Sequence, residues 1–189
     1  MENNDMEIII KETAEKAKRE SIIKQVGENA FNNYLIEKIP KEMMPNYKGF
    51  PNCSLYLYGA VRSGKTFTAI AIGRKYSGFT FRRISNLLRE IRACETAKRE
   101  QELIDNIVNA RILVLDDLGA EKLSEFALSI LNEIIDERNM KNPNGLIITS
   151  NYSIQELGKF YDARLASRIL EMCRVVELPA RKIKAKGEK

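Results

Sequence analysis

Apolar positions along this chain recur with two different periods. From Glu7 to Val26, the residues Ile10, Ala14, Ala17, Ile22 and Val26 fall near one stripe with Lys and Glu elsewhere, which predicts an amphipathic helix. Gly27 interrupts it, and Phe31, Tyr34, Leu35 and Ile39 form a second helix-like patch. Pro40, Pro45 and Pro51 make residues 40–52 an irregular connector. Beyond it, five short apolar runs read as strands: Leu55–Tyr58, Phe79–Arg82, Ile112–Leu115, Leu146–Thr149 and Val175–Leu178. The third and fourth are nearly continuous, as in strands covered on both faces. Helical patterns separate the runs; Phe126, Ile130, Leu131, Ile134 and Ile135 supply one of them. Asn142-Pro143-Asn144-Gly145 is a turn before the fourth strand, and Ser153 with Glu156 predicts a capping box after it. Alternating strands and helices imply an α/β parallel sheet with right-handed crossovers. Residues 1–50 read as a helical extension and connector, 51–179 as the main domain and 180–189 as a basic tail.

Between the first strand and the helix after it lies Gly59-Ala60-Val61-Arg62-Ser63-Gly64-Lys65-Thr66, which fits G-x-x-x-x-G-K-[ST]. Strand, loop and helix are the context that makes this motif a phosphate-binding loop. Backbone N–H groups of residues 59–67, ending at Phe67, wrap a phosphate that faces the positive end of the helix. Lys65 would reach the β- and γ-phosphates, and the Thr66 hydroxyl would hold Mg²⁺. The third strand ends in Asp116-Asp117, at the carboxyl edge where parallel sheets place ligands. Asp116 is the candidate Mg²⁺ contact through water, and Asp117 the group that polarises the attacking water. Alone, that segment reads equally as a buried strand ending in an acidic turn; the upstream loop gives it its meaning.

Composition narrows the chemistry. The 189 residues contain no histidine and three scattered cysteines, Cys53, Cys94 and Cys173. His-based triads and His-bearing zinc sites are excluded, and the cysteine usage points to a reducing, cytoplasmic setting. No apolar run is long enough to span a membrane. A formal net charge of +5 is compatible with nucleic acid and proves nothing by itself. Its distribution is uneven: Arg82, Arg83, Arg89 and Arg92 form one basic stretch, and Arg181, Lys182, Lys184, Lys186 and Lys189 load the tail.

Three ordered segments then carry a family likeness. Asp116-Asp117-Leu118-Gly119-Ala120-Glu121-Lys122, Ile135-Asp136-Glu137-Arg138 and Thr149-Ser150-Asn151-Tyr152 resemble the DnaC/DnaI helicase loaders and the related IstB transposition ATPases, which are AAA+ proteins. The resemblance covers residues 40–181. It implies a P-loop NTPase core with a five-stranded parallel sheet in the order 5-1-4-3-2, and ATP hydrolysis in sites shared between copies in a homo-oligomer. It also implies work on a replicative helicase or a transposase at DNA. Asn151 falls at the sensor position, where an amide orients water and reads the γ-phosphate; the plainer alternative is a turn or cap. Arg164-Leu165-Ala166-Ser167-Arg168-Ile169-Leu170 resembles the segment that carries an arginine finger. Arg168 would be the finger and Arg164 its understudy; the alternative is a solvated face pairing with Glu171. Residues 81–92 lie where related loaders contact single-stranded DNA, although the same pattern fits an ordinary amphipathic helix.

The chain also departs from the family. Arg62 stands where Gly is usual, and costs free energy if the backbone needs positive φ. Asp117 is one methylene shorter than the usual Glu, which implies slow turnover. The chain ends soon after the fifth strand, so no C-terminal lid domain is expected. The extension has no cysteine-rich zinc module, so contact with a helicase would use helices, with the apolar stripe of residues 7–26 docking in a groove. The competing functions are an IstB-type transposition ATPase, a small nucleotide kinase, and a binding module with a silent ATPase. The paired acids and Asn151 suit water activation better than transfer to a metabolite.

Overall fold

The structure is a computed structural model and describes residues 2–120 and 124–180. Glu121, Lys122 and the basic tail from Arg181 lie outside the described residues. The strands are β1 (Ser54–Tyr58), β2 (Phe79–Arg83), β3 (Ile112–Leu118), β4 (Leu146–Ser150) and β5 (Cys173–Glu177). They form a parallel sheet in the order β2-β3-β4-β1-β5, the expected order viewed from the other edge. Helix α3 (Lys65–Gly73) connects β1 to β2, and α4 (Ile84–Arg92) with α5 (Ala97–Val108) connects β2 to β3. Then α6 (Glu125–Lys141) leads to β4, and α7 (Ile154–Phe160) with α8 (Ala163–Met172) leads to β5.

Side chains alternate across each strand and feed two apolar layers. Leu55, Leu57, Ile112, Val114 and Ile147 pack with Ala69, Ile70 and Ile72 of α3. Tyr56, Leu113, Leu115 and Ile148 pack on the other face with residues of α4 to α8. Both faces are covered, which is why the inner strands read as unbroken apolar runs. The capping box predicted at Ser153 and Glu156 is present with both arms formed.

The N-terminal segment is helical from α1 (Glu2–Val26) into α2 (Glu28–Asn33), with Gly27 at φ 85° between them. Helix α1 starts earlier than periodicity alone predicts. Ile22 near its carboxyl end, and Ile39, Tyr47 and Phe50 of the connector after α2, are buried in the layer that contains α3 and β1. Gln25 accepts from the Phe81 N–H at 2.7 Å and donates to the Phe79 carbonyl at 3.3 Å. One amide thereby covers part of the free edge of β2, which would otherwise present unpaired backbone groups.

Arg138 organises the layer on the opposite side. It is fully buried, and its guanidinium donates to the carbonyls of Val108 and Ala110 at 2.8 Å, Asn144 at 3.0 Å and Ile107 at 3.4 Å. Burial lowers its pKa to about 10. These acceptors lie at the carboxyl end of α5, where a cation meets the negative helix terminus, and in the turn before β4. The Arg138→Ala protein is expected to lose about 3 kcal/mol of stability, since several buried carbonyls would lose charged donors. Urea denaturation measures it; a change below about 0.5 kcal/mol, the usual range for surface substitutions, would show that the hub is dispensable.

Candidate nucleotide site

The phosphate loop begins where β1 ends. Gly59 has φ 148°, and a Cβ there would stand 2.3 Å from the Leu178 carbonyl oxygen, so the close passage of the chain after β5 requires glycine. The Leu178 N–H donates to the Tyr58 carbonyl at 2.7 Å and ties the two segments together. Gly64 is the N-cap of α3 at φ 97°, with no side-chain cap, so the positive end of the helix faces the loop. Arg62 has φ 66°, so the loop does demand the left-handed conformation there. For an arginine this costs about 1–2 kcal/mol.

Lys65 is 7% exposed, and its ammonium donates to the Gly59 and Ala60 carbonyls at 2.9 Å each. Burial lowers its pKa from the ordinary value, while Asp117 and Asp116 act to raise it. The Thr66 hydroxyl donates to Asp116 Oδ1 at 2.8 Å. The Thr149 hydroxyl donates to the same oxygen at 2.7 Å and itself accepts from the Asp117 N–H at 2.9 Å. Asp116 is 1% exposed; burial raises its pKa, the Thr149 and Thr66 hydrogen bonds oppose that shift, and Arg83 lies 3.7 Å from Oδ2.

Asp117 differs from Asp116 in backbone as well as side chain. The β3–β4 register shifts between Leu115 and Leu118, and Asp117 sits in that irregularity at φ 70° with its side chain exposed. The bulge directs two adjacent acids to different places. Asp116 turns inward to Thr66, and Asp117 lines a cleft of about 410 Å³ with Lys65, Thr66 and Asn151. The Ser150 hydroxyl donates to the Leu118 carbonyl at 2.8 Å, and the Tyr161 hydroxyl donates to the Gly119 carbonyl at 2.6 Å. The Tyr56 hydroxyl donates to the Tyr152 carbonyl at 2.7 Å. These bonds hold the loops that carry Asp117 and Asn151. Thr149, Ser150, Tyr56, Tyr161 and Arg83 received no such roles from the sequence; the Thr149-Ser150 segment carried a signal as part of a family motif, and Arg83 one as part of a basic stretch.

Among the described residues, no group of three or more Cys, Asp or Glu could hold a metal ion by itself. The Thr66 hydroxyl and Asp116 carboxylate are hard oxygen donors, however, and they converge at the loop. This donor set fits Mg²⁺, which typically binds one or two protein oxygens together with substrate phosphates.

Arg168 does not line this cleft. It lies on α8, where its guanidinium is 3.0 Å from Asp136 Oδ1, and Arg164 donates to Asp136 Oδ2 at 2.9 Å. The acidic partner in the plainer reading was Glu171; the structure supplies Asp136 of α6 instead. In the basic stretch, Ile84, Leu87, Leu88 and Ile91 are buried on one face of α4. Arg92 donates to Ser124 Oγ at 2.8 Å, whereas Arg82 and Arg83 join Lys24 and Asn86 along a groove of about 750 Å³ beside α1.

The strand order β2-β3-β4-β1-β5, with the loop after β1 and the acidic pair at the tip of β3, is the fold of P-loop NTPases of the AAA+ class. Residues 51–188 match the family model described as IstB-like ATP binding protein, and the chain belongs to that family. It is 31% identical over 71 residues to the replicative helicase loader DnaC of Escherichia coli (strain K12), covering 37% of this chain and 28% of that one. It is 26% identical over 141 residues to the replicative helicase loader DnaI of Bacillus subtilis (strain 168), covering 66% of this chain and 45% of that one. The chain therefore spans less than half the length of these relatives. The crystal structure of the DnaC helicase loader superposes with a TM-score of 0.61 at 23% identity, covering 80% of this chain and 89% of that one, and supports the fold. Among the described residues, no helix is long and apolar enough to cross a membrane.

Proposed function

We propose that this protein is an ATP-hydrolysing helicase loader that works in the cytoplasm on single-stranded DNA. The observation that carries the nucleotide chemistry is the divided acidic pair: Asp116 accepts from Thr66 at 2.8 Å, while Asp117 faces the cleft shared with Lys65 and Asn151. Thr66 and Asp116 would hold Mg²⁺, which when bound offsets negative charge on the β- and γ-phosphates. Lys65 meets the same phosphates from the loop. Asp117 accepts a hydrogen bond from the attacking water and draws on its proton, and the Asn151 amide fixes that water's orientation. Arg168 of a neighbouring copy completes the charge stabilisation, so hydrolysis depends on assembly.

The partner reading rests on the two helicase-loader relatives. Lys24, Arg82 and Arg83 along the groove beside α1 suit the phosphates of single-stranded DNA. Because Ile22 is already buried against the main domain, the helicase would meet the exposed part of α1 before it, residues 11–20. The chain's family favours a second reading, an IstB-like ATPase that binds DNA and a transposase.

Size-exclusion chromatography of the full chain with the host's replicative helicase, with and without ATP, Mg²⁺ and single-stranded DNA, tests the choice. Co-elution with the helicase that changes with nucleotide is expected. Failure to co-elute under any condition, with ATP-dependent co-elution of a transposase instead, would transfer the assignment to the second reading.

A further inference from the structure

We propose that Tyr161 is a positioning residue for Asp117, and that through it this acid is set by the helix that carries Arg164 and Arg168. The inference rests on the hydrolysis reading above and adds a residue to it.

Among the described residues, the turn that presents Asp117 is fastened by four hydrogen bonds. The Asp117 N–H donates to the Thr149 hydroxyl at 2.9 Å, and the Leu118 carbonyl accepts from the Ser150 hydroxyl at 2.8 Å. The Ala120 N–H donates to the Asp117 carbonyl at 3.3 Å, within the turn itself. The Gly119 carbonyl accepts from the Tyr161 hydroxyl at 2.6 Å. Thr149 and Ser150 belong to β4, which is buried between β3 and β1, so their bonds move only with the sheet. The bond from Tyr161 is the one of the four that arrives from the helices. Asp117 needs such support: it stands at φ 70° with its side chain exposed, and Gly119 follows at φ 82°. A residue other than glycine keeps that backbone only where its surroundings hold it there.

The ring of Tyr161 reaches the other loop of the cleft. It packs edge-on against Tyr152, with centroids 5.2 Å apart at 66°, and Asn151 directly precedes Tyr152. Both rings close on Gly119, where a Cβ would stand 3.1 Å from the Tyr152 ring and 3.3 Å from the Tyr161 ring. The hydroxyl thus serves the Asp117 turn, and the ring serves the segment after Asn151.

Tyr161 also moves with α8. It ends α7, and its N–H and that of Asp162 both donate to the Leu157 carbonyl, at 3.0 and 3.2 Å. Asp162 caps α8 by accepting from the Leu165 N–H at 2.6 Å. Gly158 of α7 lies so close to α8 that a Cβ there would stand 3.3 Å from the Ala166 methyl. The two helices and their turn therefore behave as one block. Arg164 and Arg168 tie that block to Asp136 of α6, and Tyr161 ties it to the end of β3. A displacement of α8 that draws Arg168 from Asp136 is passed through Tyr161 to Asp117.

The Tyr161→Phe protein keeps the ring and loses the hydroxyl. Amide hydrogen exchange read by mass spectrometry on the full chain should be about fivefold to tenfold faster in fragments covering residues 116–120, the size of one hydrogen bond's net contribution. Asp136→Asn, which weakens the hold on both arginines, should speed exchange in the same fragments, and only while Tyr161 is present. In steady-state ATP hydrolysis, Tyr161→Phe should lower kcat about fivefold to tenfold with KM within about twofold, and should not slow the residual rate of Asp117→Asn protein further. Unchanged exchange in Tyr161→Phe overturns the proposal. So does a raised KM at the parent's kcat, or an equal slowing in the Asp117→Asn background, since either places the effect away from Asp117. Fragments that ignore Asp136→Asn, or that respond equally without the Tyr161 hydroxyl, refute the link to α8. Should Asp136→Asn not fold, Arg164→Ala combined with Arg168→Ala takes its place. A parent that does not hydrolyse ATP overturns the hydrolysis reading, while the exchange measurement still decides whether Tyr161 holds the turn.

Discussion

The Lys65→Ala protein is expected to lose about a hundredfold or more in ATP affinity while melting within a few degrees of the parent. The affinity loss follows from position. Lys65 opens α3 directly after Gly64, is nearly buried, and holds its ammonium among the loop carbonyls where an anion would be wrapped. A charge-assisted contact to phosphate in such a partly desolvated site contributes about 2–3 kcal/mol. The small effect on melting follows from what remains. Of the two carbonyls that lose a donor, the buried one of Gly59 costs about 1 kcal/mol, and that of Ala60 belongs to a residue exposed to water, which replaces the ammonium there. Removing the cation also ends the cost of burying it, which already lowers its pKa. Titration with a fluorescent ATP analogue measures the first effect and calorimetric melting the second. Retention of the parent's affinity would mean that the loop does not bind phosphate through this residue.

Much of the frame was legible in the sequence because burial leaves a one-dimensional trace. Ile112–Leu115 and Leu146–Thr149 are apolar on both faces because both faces are covered, and the alternation with helical patterns implied a parallel sheet, whereas the strand order was implied by the family resemblance. The phosphate loop was legible because its glycines answer to backbone geometry, as the approach of Leu178 to Gly59 illustrates. Arg62 was recognisable as a misfit, and its φ of 66° supplies the reason. What the sequence concealed was direction. Alternation along a strand already separates the side chains of Asp116 and Asp117, but the left-handed, exposed position of Asp117 depends on a register shift against β4 that the sequence does not display. Thr149 gained a role only when pairing of β3 and β4 brought its hydroxyl between the two acids. Arg138 stood within a family motif, yet its carbonyl partners are 28 to 31 residues upstream and six downstream. The extension was read as a helical addition to the main domain, and the contacts that bind it, Gln25 to β2 and Arg74 of α3 to the Tyr34 carbonyl, have no periodicity to announce them.

Replacing Arg168 by alanine is expected to leave ATP binding unchanged and to lower ATP hydrolysis on the order of a thousandfold, the lower range for an arginine that meets transition-state charge. Within one copy Arg168 has a different partner, Asp136 at 3.0 Å, and is 35% exposed. The competition between these states can be judged by magnitude. A part-exposed ion pair contributes about 0–1 kcal/mol, so leaving Asp136 costs little beside the roughly 4 kcal/mol that a thousandfold rate effect represents. Arg164, 65% exposed on its side chain, also pairs with Asp136, so the carboxylate keeps a cation when Arg168 departs. The Arg168→Ala protein should consequently fold normally. A finger supplied by a neighbour also predicts complementation. Asp117→Asn protein retains Arg168, and Arg168→Ala protein retains Asp117; each is inactive alone. In a head-to-tail assembly mixed one to one, about a quarter of the interfaces join an intact finger to an intact acid. Steady-state hydrolysis should therefore return to about that fraction of the parent rate, far above either single variant. A mixture no more active than its components, at any ratio, would instead confine Arg168 to its ion pair with Asp136 and make each site complete within one copy.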